Sequence, residues 1–377
     1  MIKYNQPDID KSDLAAVSKV LKSNNITQGN EIVKFESALK FYCGAKFAKV
    51  MNSATSALHL ACLALDLKKN DFVWMPGITF VSDANCVKFC GAKIRLIDIN
   101  KQTFNICEVD LEKQLKLAKI KKQLPKIVII VHLAGNPCNL SKVKKLSKKF
   151  NFKIIEDASH ALGSRYKKTK IGSCKFSDIT VFSFHAVKNI TTGEGGAILT
   201  NNGYIDKKVQ LLRSHGINRN GFKNKKSWYY EQVRLGYNYR LTDFQAALGS
   251  SQIKRLDKFL VKRNKIAERY LKYFEGICLF QKINKENFSA FHLFIIILPK
   301  QMRDRIYEAL KKKNIETSLH YIPIYKHPYY QDKKNFYLKN CEFYYSRALS
   351  IPLHNKLTLK NQMKIINIIL SSIRKDG

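Results

Sequence analysis

The stretch Phe182–Gly196, FSFHAVKNITTGEGG, decides how this chain is read. The run Asp178–Phe184 alternates polar with β-branched or aromatic residues, which predicts a strand. A turn-rich loop follows, ending in Gly195-Gly196, and then a short apolar run, Ala197–Leu199. Lys188 therefore stands where a strand ends and a glycine-rich loop begins. Most lysines are solvated surface charges. Lys188 differs because aromatic, hydroxyl, histidine and glycine positions crowd around it, as around no other lysine of the chain. A lysine in an apolar pocket loses part of its ammonium stability and becomes an amine nucleophile, which a Schiff base requires.

Upstream of this stretch, strands and helices alternate. Asp10–Lys22 and Glu31–Tyr42 have helical spacing, the first with Ser12 or Asp10 as its cap and the second stopping at Gly44. Strands are predicted over Phe47–Met51, Asp71–Met75, Lys93–Ile97, Ile127–Leu133 and Lys153–Ile155, the last ending at Glu156-Asp157. Helices open at Asn52–Ser56 and cover Thr79–Cys90, Val109–Ala118 and Ser141–Phe150. Buried apolar strands alternating with helices predict an α/β fold with a mostly parallel sheet and ligands at the strands' carboxyl ends.

Downstream the pattern changes. Arg213–Gly216 and Asn218–Tyr230 read as a loop, and Leu235–Gly249 enters a single long helix reaching about Leu271. Such a helix bridges to a second domain, with a strand at Phe291–Leu298 and helices over Arg303–Lys313 and Lys360–Arg374. The expected division is a large α/β domain over 1–245 and a smaller C-terminal α+β domain over 246–377, in keeping with a length of 377 residues.

Composition narrows the function. Hydrophobic content of 45% suits a globular core, and no run of about 18 apolar residues suggests a membrane span. The polar start MIKYNQPDID has no apolar core of a secretory signal, so a cytoplasmic location is expected. The net charge of +38 raises nucleic-acid binding, but lysine far outnumbers arginine and its clusters scatter over helix-like segments. No helix-turn-helix precedes the α/β pattern, and the reading excludes a nucleic-acid partner. Nine cysteines show no CxxC pair and no ligand-spaced histidines, which points to a reducing compartment and to no metal site. Cys86 and Cys90, four apart, read as small core residues on one helix face.

Three further positions bear on Lys188. Ser53-Ala54-Thr55 starts a helix directly after a strand, where hydroxyls and free N–H groups suit a phosphate; taken alone, simple capping is the plainer explanation. Asp157, in EDASHALG, ends an apolar strand and faces either the cleft or the next turn. An amine and a carboxylate converging on one crevice beside an anion cup is what pyridoxal 5'-phosphate (PLP) needs, since the carboxylate keeps the pyridine ring protonated as an electron sink. Phe80, after Pro76-Gly77, suits either a ring face or the core.

The motifs NSATSAL, EDASHALGS, FSFHAVKNITTGEGG, RSHGI and LGYNYRL, in this order, resemble the DegT/DnrJ-type sugar-nucleotide aminotransferases of PLP fold type I over essentially the whole chain. The resemblance implies the aspartate aminotransferase-like fold, with a seven-stranded-type sheet, and PLP as cofactor. It is strongest to the branch that moves the amino group of L-glutamate to C4 of a UDP-linked 4-keto-6-deoxy-N-acetylhexosamine, for pseudaminic acid or related surface glycans. Another keto sugar nucleotide, 3-keto or dTDP- or GDP-linked, is the alternative. The family's dehydratases carry histidine in place of the lysine; this chain has Lys188 and fits the transaminase branch. By the same resemblance Lys188 carries the Schiff base and the migrating proton, Asp157 pairs with the pyridine nitrogen, and His160 sits near the ring hydroxyl. Phe80 stacks on the ring, while Ser53, Ala54 and Ser183 hold the phosphate. Asn238 reaches the cofactor phosphate of a neighbouring subunit, so a homodimer with shared sites is implied. Tyr4, Asn25, Ile26, Thr27, His185, Asn238, His320 and Tyr321 correspond to the sugar-nucleotide pocket.

Overall fold

The computed structural model describes residues 1–219, 226–331 and 337–374. In chain order come α1 (Lys11–Leu21), α2 (Asn30–Cys43), β1 (Phe47–Met51), α3 (Ala54–Ala64), β2 (Phe72–Pro76) and α4 (Val81–Phe89). They are followed by β3 (Lys93–Ile97), α5 (Glu108–Ile120), β4 (Ile127–Val131), α6 (Leu140–Phe150) and β5 (Lys153–Asp157). A small hairpin, β6 (Arg165–Tyr166) and β7 (Thr169–Lys170), precedes β8 (Ile179–Ser183), β9 (Gly196–Thr200) and α7 (Gly203–Leu212). After a second hairpin, β10 (Ile217–Asn218) and β11 (Glu231–Gln232), come α8 (Asp243–Ile253) and α9 (Leu256–Phe274). The chain closes with β12 (Leu279–Phe280), β13 (Phe294–Ile297), α10 (Met302–Lys312), α11 (Lys339–Tyr345), β14 (Ala348–Ile351) and α12 (Leu359–Arg374).

Seven strands form one sheet in the order β1-β9-β8-β5-β4-β2-β3. The pairs from β8 through to β3 are parallel, and β9 alone runs against its neighbours. Alternate residues of each strand face opposite layers, as the two-residue period requires. Val50, Trp74, Val128, Ile130, Ile154 and Phe182 pack against α2, α5, α6 and α8; Met51, Val73, Met75, Ile129, Ile155 and Val181 pack against α3, α4 and α7. Both faces are covered, so the strands read as continuous apolar runs. A third core gathers α9, α10 and α12 around β13 and β14 through Ile266, Tyr270, Phe294, Ile306, Leu349 and Ile365.

Two expectations are corrected. The single long helix from Leu235 is instead an extended segment and two helices. Tyr237 N–H bonds Leu212 O at 2.7 Å and Tyr239 N–H bonds Arg213 O at 3.0 Å, so these donors are tied to the end of α7 and cannot join a helix ladder. Helix begins only after Thr242, which forms a capping box with Gln245. The ladder then breaks at Arg255, whose N–H reaches only three residues back, to Gln252 O at 3.0 Å, while its guanidinium is held by Asp10 and Asp13. The expected loop Asn218–Tyr230 is flanked by a two-stranded stem, with Ile217 paired to Gln232; its part over 220–225 lies outside the described residues. Among the described residues no helix is long and apolar enough to cross a membrane, and no cluster of candidate metal ligands is found. The nine cysteines are free.

Candidate active site

The parallel pairing of β5 with β8 sets Asp157 beside Val181. The chain then folds back after β8, where Lys188 N–H donates to His185 O at 2.9 Å and Phe184 N–H to Gly195 O at 2.8 Å. Asp157 and Lys188 thereby line one cavity of about 430 Å³, within the range of small-cofactor pockets. Glu156, one residue before, turns to the other side of the strand, where Oε2 lies 2.8 Å from His132 Nε2 and Oε1 accepts the Thr180 hydroxyl at 3.3 Å. Strand alternation separates a cavity carboxylate from a core one. Asp157 Oδ1 accepts the Ser159 N–H at 2.9 Å.

Burial brings Lys188 down to about 8, opposed in part by the negative charge of Asp157. An appreciable share of the amine is then neutral close to physiological pH, unlike an ordinary surface lysine.

Another part of the cavity wall is a hydroxyl-lined helix start. Ser53 caps α3, its hydroxyl accepting the Ser56 N–H at 3.1 Å. Ala54 and Thr55 occupy the first helical turn, whose N–H groups have no acceptor within a helix. Ser53, Ala54, Thr55, Ser82 and Ser183 all line the cavity, and the Thr55 and Ser82 hydroxyls lie 2.8 Å apart. Capping and lining are thus one arrangement. Gly196 makes it possible: a Cβ there would stand 2.4 Å from Ser53 O and 2.5 Å from Ala54 N.

A third wall is aromatic. His160 Nδ1 accepts the Ala134 N–H at 3.2 Å, and its Nε2 lies 3.0 Å from the Tyr321 hydroxyl. Burial, with the charge of Lys188, holds His160 well below its ordinary value, so the ring is neutral with its proton on Nε2. Burial likewise lowers His320 to about 3 and keeps the Tyr321 phenol protonated. The His292 ring stands 4.4 Å from that of His160, and buried Arg263 donates to His292 O at 3.2 Å. Phe80 is half open to the cavity, 5.6 Å from the Tyr321 ring.

Of the residues singled out in the sequence, Tyr4, Ser53, Ala54, Phe80, Asp157, His160, Ser183, His185, Lys188, His320 and Tyr321 meet in this cavity. Asn25, Ile26, Thr27 and Asn238 lie outside it, exposed, with Thr27 bridged to Thr242 and Asn238 to Ser214. Thr55, read in the sequence with Ser53 and Ala54 as part of a phosphate-suited helix start, lines the cavity with them, whereas sequence reasoning missed Ser82. It also missed His292, whose signal was a lone histidine in the apolar run Phe291–Leu298.

The fit to PLP is direct. The cavity lining offers a low-proton-affinity amine with a buried carboxylate as its neighbour, and a helix N-terminus ringed by hydroxyls that suits a phosphate. Fold and cavity define a PLP-dependent transferase of the aspartate aminotransferase-like type. The chain belongs to the DegT/DnrJ/EryC1/StrS aminotransferase family, whose pattern matches residues 7–370. It is 40% identical over 383 residues to a UDP-4-amino-4,6-dideoxy-N-acetyl-beta-L-altrosamine transaminase of Campylobacter jejuni, covering 100% of this chain and 98% of that one. The solved structure of Helicobacter pylori PseC, an aminotransferase involved in the biosynthesis of pseudoaminic acid, is similar with a TM-score of 0.90 and 34% identity, covering 99% of both chains. A Streptococcus pneumoniae protein described as a candidate sugar aminotransferase, solved in its PLP form, gives a TM-score of 0.88 at 29% identity over 99% of this chain and 98% of that one.

Proposed function

We propose that this aminotransferase moves the amino group of L-glutamate to C4 of a UDP-linked 4-keto-6-deoxy-N-acetylhexosamine. The product is the UDP-4-amino-4,6-dideoxy-N-acetylhexosamine used for pseudaminic acid or a related surface glycan. The observation that carries this reading is Lys188 and Asp157 lining one cavity with the start of α3, in a chain 40% identical to a transaminase of that amino sugar.

The chemistry supplied when PLP is bound is an aldehyde that joins amines and a ring that takes up an electron pair. Around it, Ser53, Ala54, Thr55 and Ser183, which line the cavity, would bind the phosphate through hydroxyl and N–H groups. Asp157 would hold a proton on the pyridine nitrogen. Lys188 would give the attachment point, and its amine would be the base that takes a proton from the donor carbon and the acid that returns one to the sugar carbon. Phe80 would cover a ring face, and neutral His160, whose Nε2 orients the Tyr321 hydroxyl, would sit near the ring hydroxyl. Tyr4, His185, His320 and Tyr321 form the side that meets the sugar nucleotide.

The active unit in this reading is a homodimer. Asn25, Ile26, Thr27 and Asn238 stand exposed outside their own chain's cavity, and Trp228, Tyr230, Val233 and Leu235 are exposed apolar residues of the adjoining segment. A second copy would cover these side chains and receive Asn238 at its cofactor phosphate. We also assign two units, 1–245 and 246–377, the second bringing His292, His320 and Tyr321 to the cavity. Nine free cysteines support a cytoplasmic location.

The deciding experiment incubates the PLP-loaded protein and L-glutamate with a panel of UDP-, dTDP- and GDP-linked 4-keto and 3-keto sugars. Formation of 2-oxoglutarate with the UDP-4-keto-6-deoxy-N-acetylhexosamine is expected. Turnover confined to another keto sugar replaces the proposed acceptor, and turnover of none rejects the substrate class.

A further inference from the structure

A second, buried carboxylate interacts with that of Asp157. Asp83, the third residue of α4, is 0% exposed. Its N–H donates to Phe80 O at 3.2 Å, and its Oδ2 accepts the Thr79 hydroxyl. Its Oδ1 is buried and receives no hydrogen bond. The group that acts on it, both as a charge and as a hydrogen-bond partner, is the Asp157 carboxylate.

Two ionised carboxylates side by side in dry protein repel each other while each bears its own desolvation cost, so one of them keeps a proton. The surroundings decide which. Asp157 opens onto the cavity, accepts the Ser159 N–H and has the Lys188 amine as a neighbour. Asp83 has the Thr79 hydroxyl. Burial first, and then the charge of Asp157, hold Asp83 well above the usual carboxylate range. The proton therefore belongs to Asp83, and on Oδ1, where it turns an acceptor without a donor into a donor with an acceptor.

We propose that Asp83 is a positioning residue for Asp157: its buried carboxyl donates a hydrogen bond from Oδ1 to the Asp157 carboxylate and keeps that carboxylate aimed into the cavity. The proposal deepens the assignment of Asp157 to the pyridine nitrogen and rests on it. A carboxylate that gives half its hydrogen-bonding capacity to Ser159 and Asp83 is fixed in orientation before any cofactor arrives, which lowers the ordering cost of binding.

Two measurements test it. Infrared spectroscopy of the PLP-free protein at neutral pH reads the carbonyl stretch of a buried protonated carboxyl. The band is expected in the wild type and lost in Asp83→Asn; its absence from the wild type, or its survival in Asp83→Asn, overturns the proposal. PLP titration then separates donor from filler. Asp83→Asn keeps a neutral donor and is expected to bind PLP close to wild type, whereas Asp83→Leu keeps the volume, loses the donor and weakens binding about tenfold or more. Equal losses in the Asn and Leu variants sink the proposal. Should Asp83→Leu fail to fold, the infrared band and the Asn titration decide. Wild-type protein that binds no PLP rejects the cofactor assignment, while the infrared band still decides where the proton sits.

Discussion

The hydroxyl of Tyr321 and Nε2 of His160 lie 3.0 Å apart, and the direction of that bond is fixed from the other side of the ring. Nδ1 of His160 accepts the Ala134 N–H, so the neutral imidazole carries its proton on Nε2 and donates to Tyr321. Tyr321 is left free to turn its own O–H into the cavity. In Tyr321→Phe a buried N–H loses its acceptor, a cost of about 1–3 kcal/mol. We expect kcat/KM to fall about tenfold or more while the protein still binds PLP, read by steady-state kinetics and by cofactor titration. Unchanged kinetics would remove Tyr321 from the working site.

Lys188→Ala removes attachment point, base and acid together. Turnover is expected to fall below detection, and the visible absorbance that PLP gains on joining a lysine should not develop. Circular dichroism should remain that of the wild type, since the truncated chain leaves a cavity wall and not a core. A variant that still develops the band would place the reactive amine elsewhere.

The same lysine gives the apo-protein a pH signature. Its folded value is about 8 because burial disfavours the charge, while the unfolded chain keeps the ordinary value near 10.4. Between these the unfolded state binds more protons, so this residue's contribution to stability rises with pH from about 8 upward, is full above the unfolded value, and is lost as pH falls through 8. Urea denaturation of wild type and Lys188→Met across that window is expected to show the wild type gaining stability relative to the methionine variant between pH 8 and pH 10, with the wild type showing the steeper rise. Parallel curves would mean the amine is solvated.

Much of this was legible in the chain, for identifiable reasons. The parallel strands announce themselves because both faces are covered, and Asp157 and Lys188 stand out as polar breaks at their carboxyl ends. What was not legible comes from contacts distant in sequence. Nothing in Leu235–Leu241 says that its backbone donors belong to Leu212 and Arg213. His292 reads as part of a strand, and only packing sets it 4.4 Å from the His160 ring. Asp83 reads as a first-turn helix acid, a favourable dipole position, and only the fold brings it to Asp157.

Gly196 opposite the Ser53–Ala54 junction gives the most local prediction. Met51 of β1 pairs with Gly196 of β9, which brings the second strand under the turn that starts α3. An alanine Cβ there would stand 2.4 Å from Ser53 O and 2.5 Å from Ala54 N, closer than any real contact. Both obstacles are backbone, so no rotamer change relieves them, and either β9 or the start of α3 has to shift. Overpacking of this kind costs about 1–3 kcal/mol, and the shift falls on the hydroxyls and N–H groups assigned to the phosphate. Gly196→Ala is therefore expected to lower the melting temperature and to weaken PLP binding by more than the stability loss alone explains. Gly203→Ala is the control, because its Cβ would meet only the Phe47 ring at an ordinary 3.6 Å. If both variants bind PLP equally well, the cup does not depend on the close approach of β9.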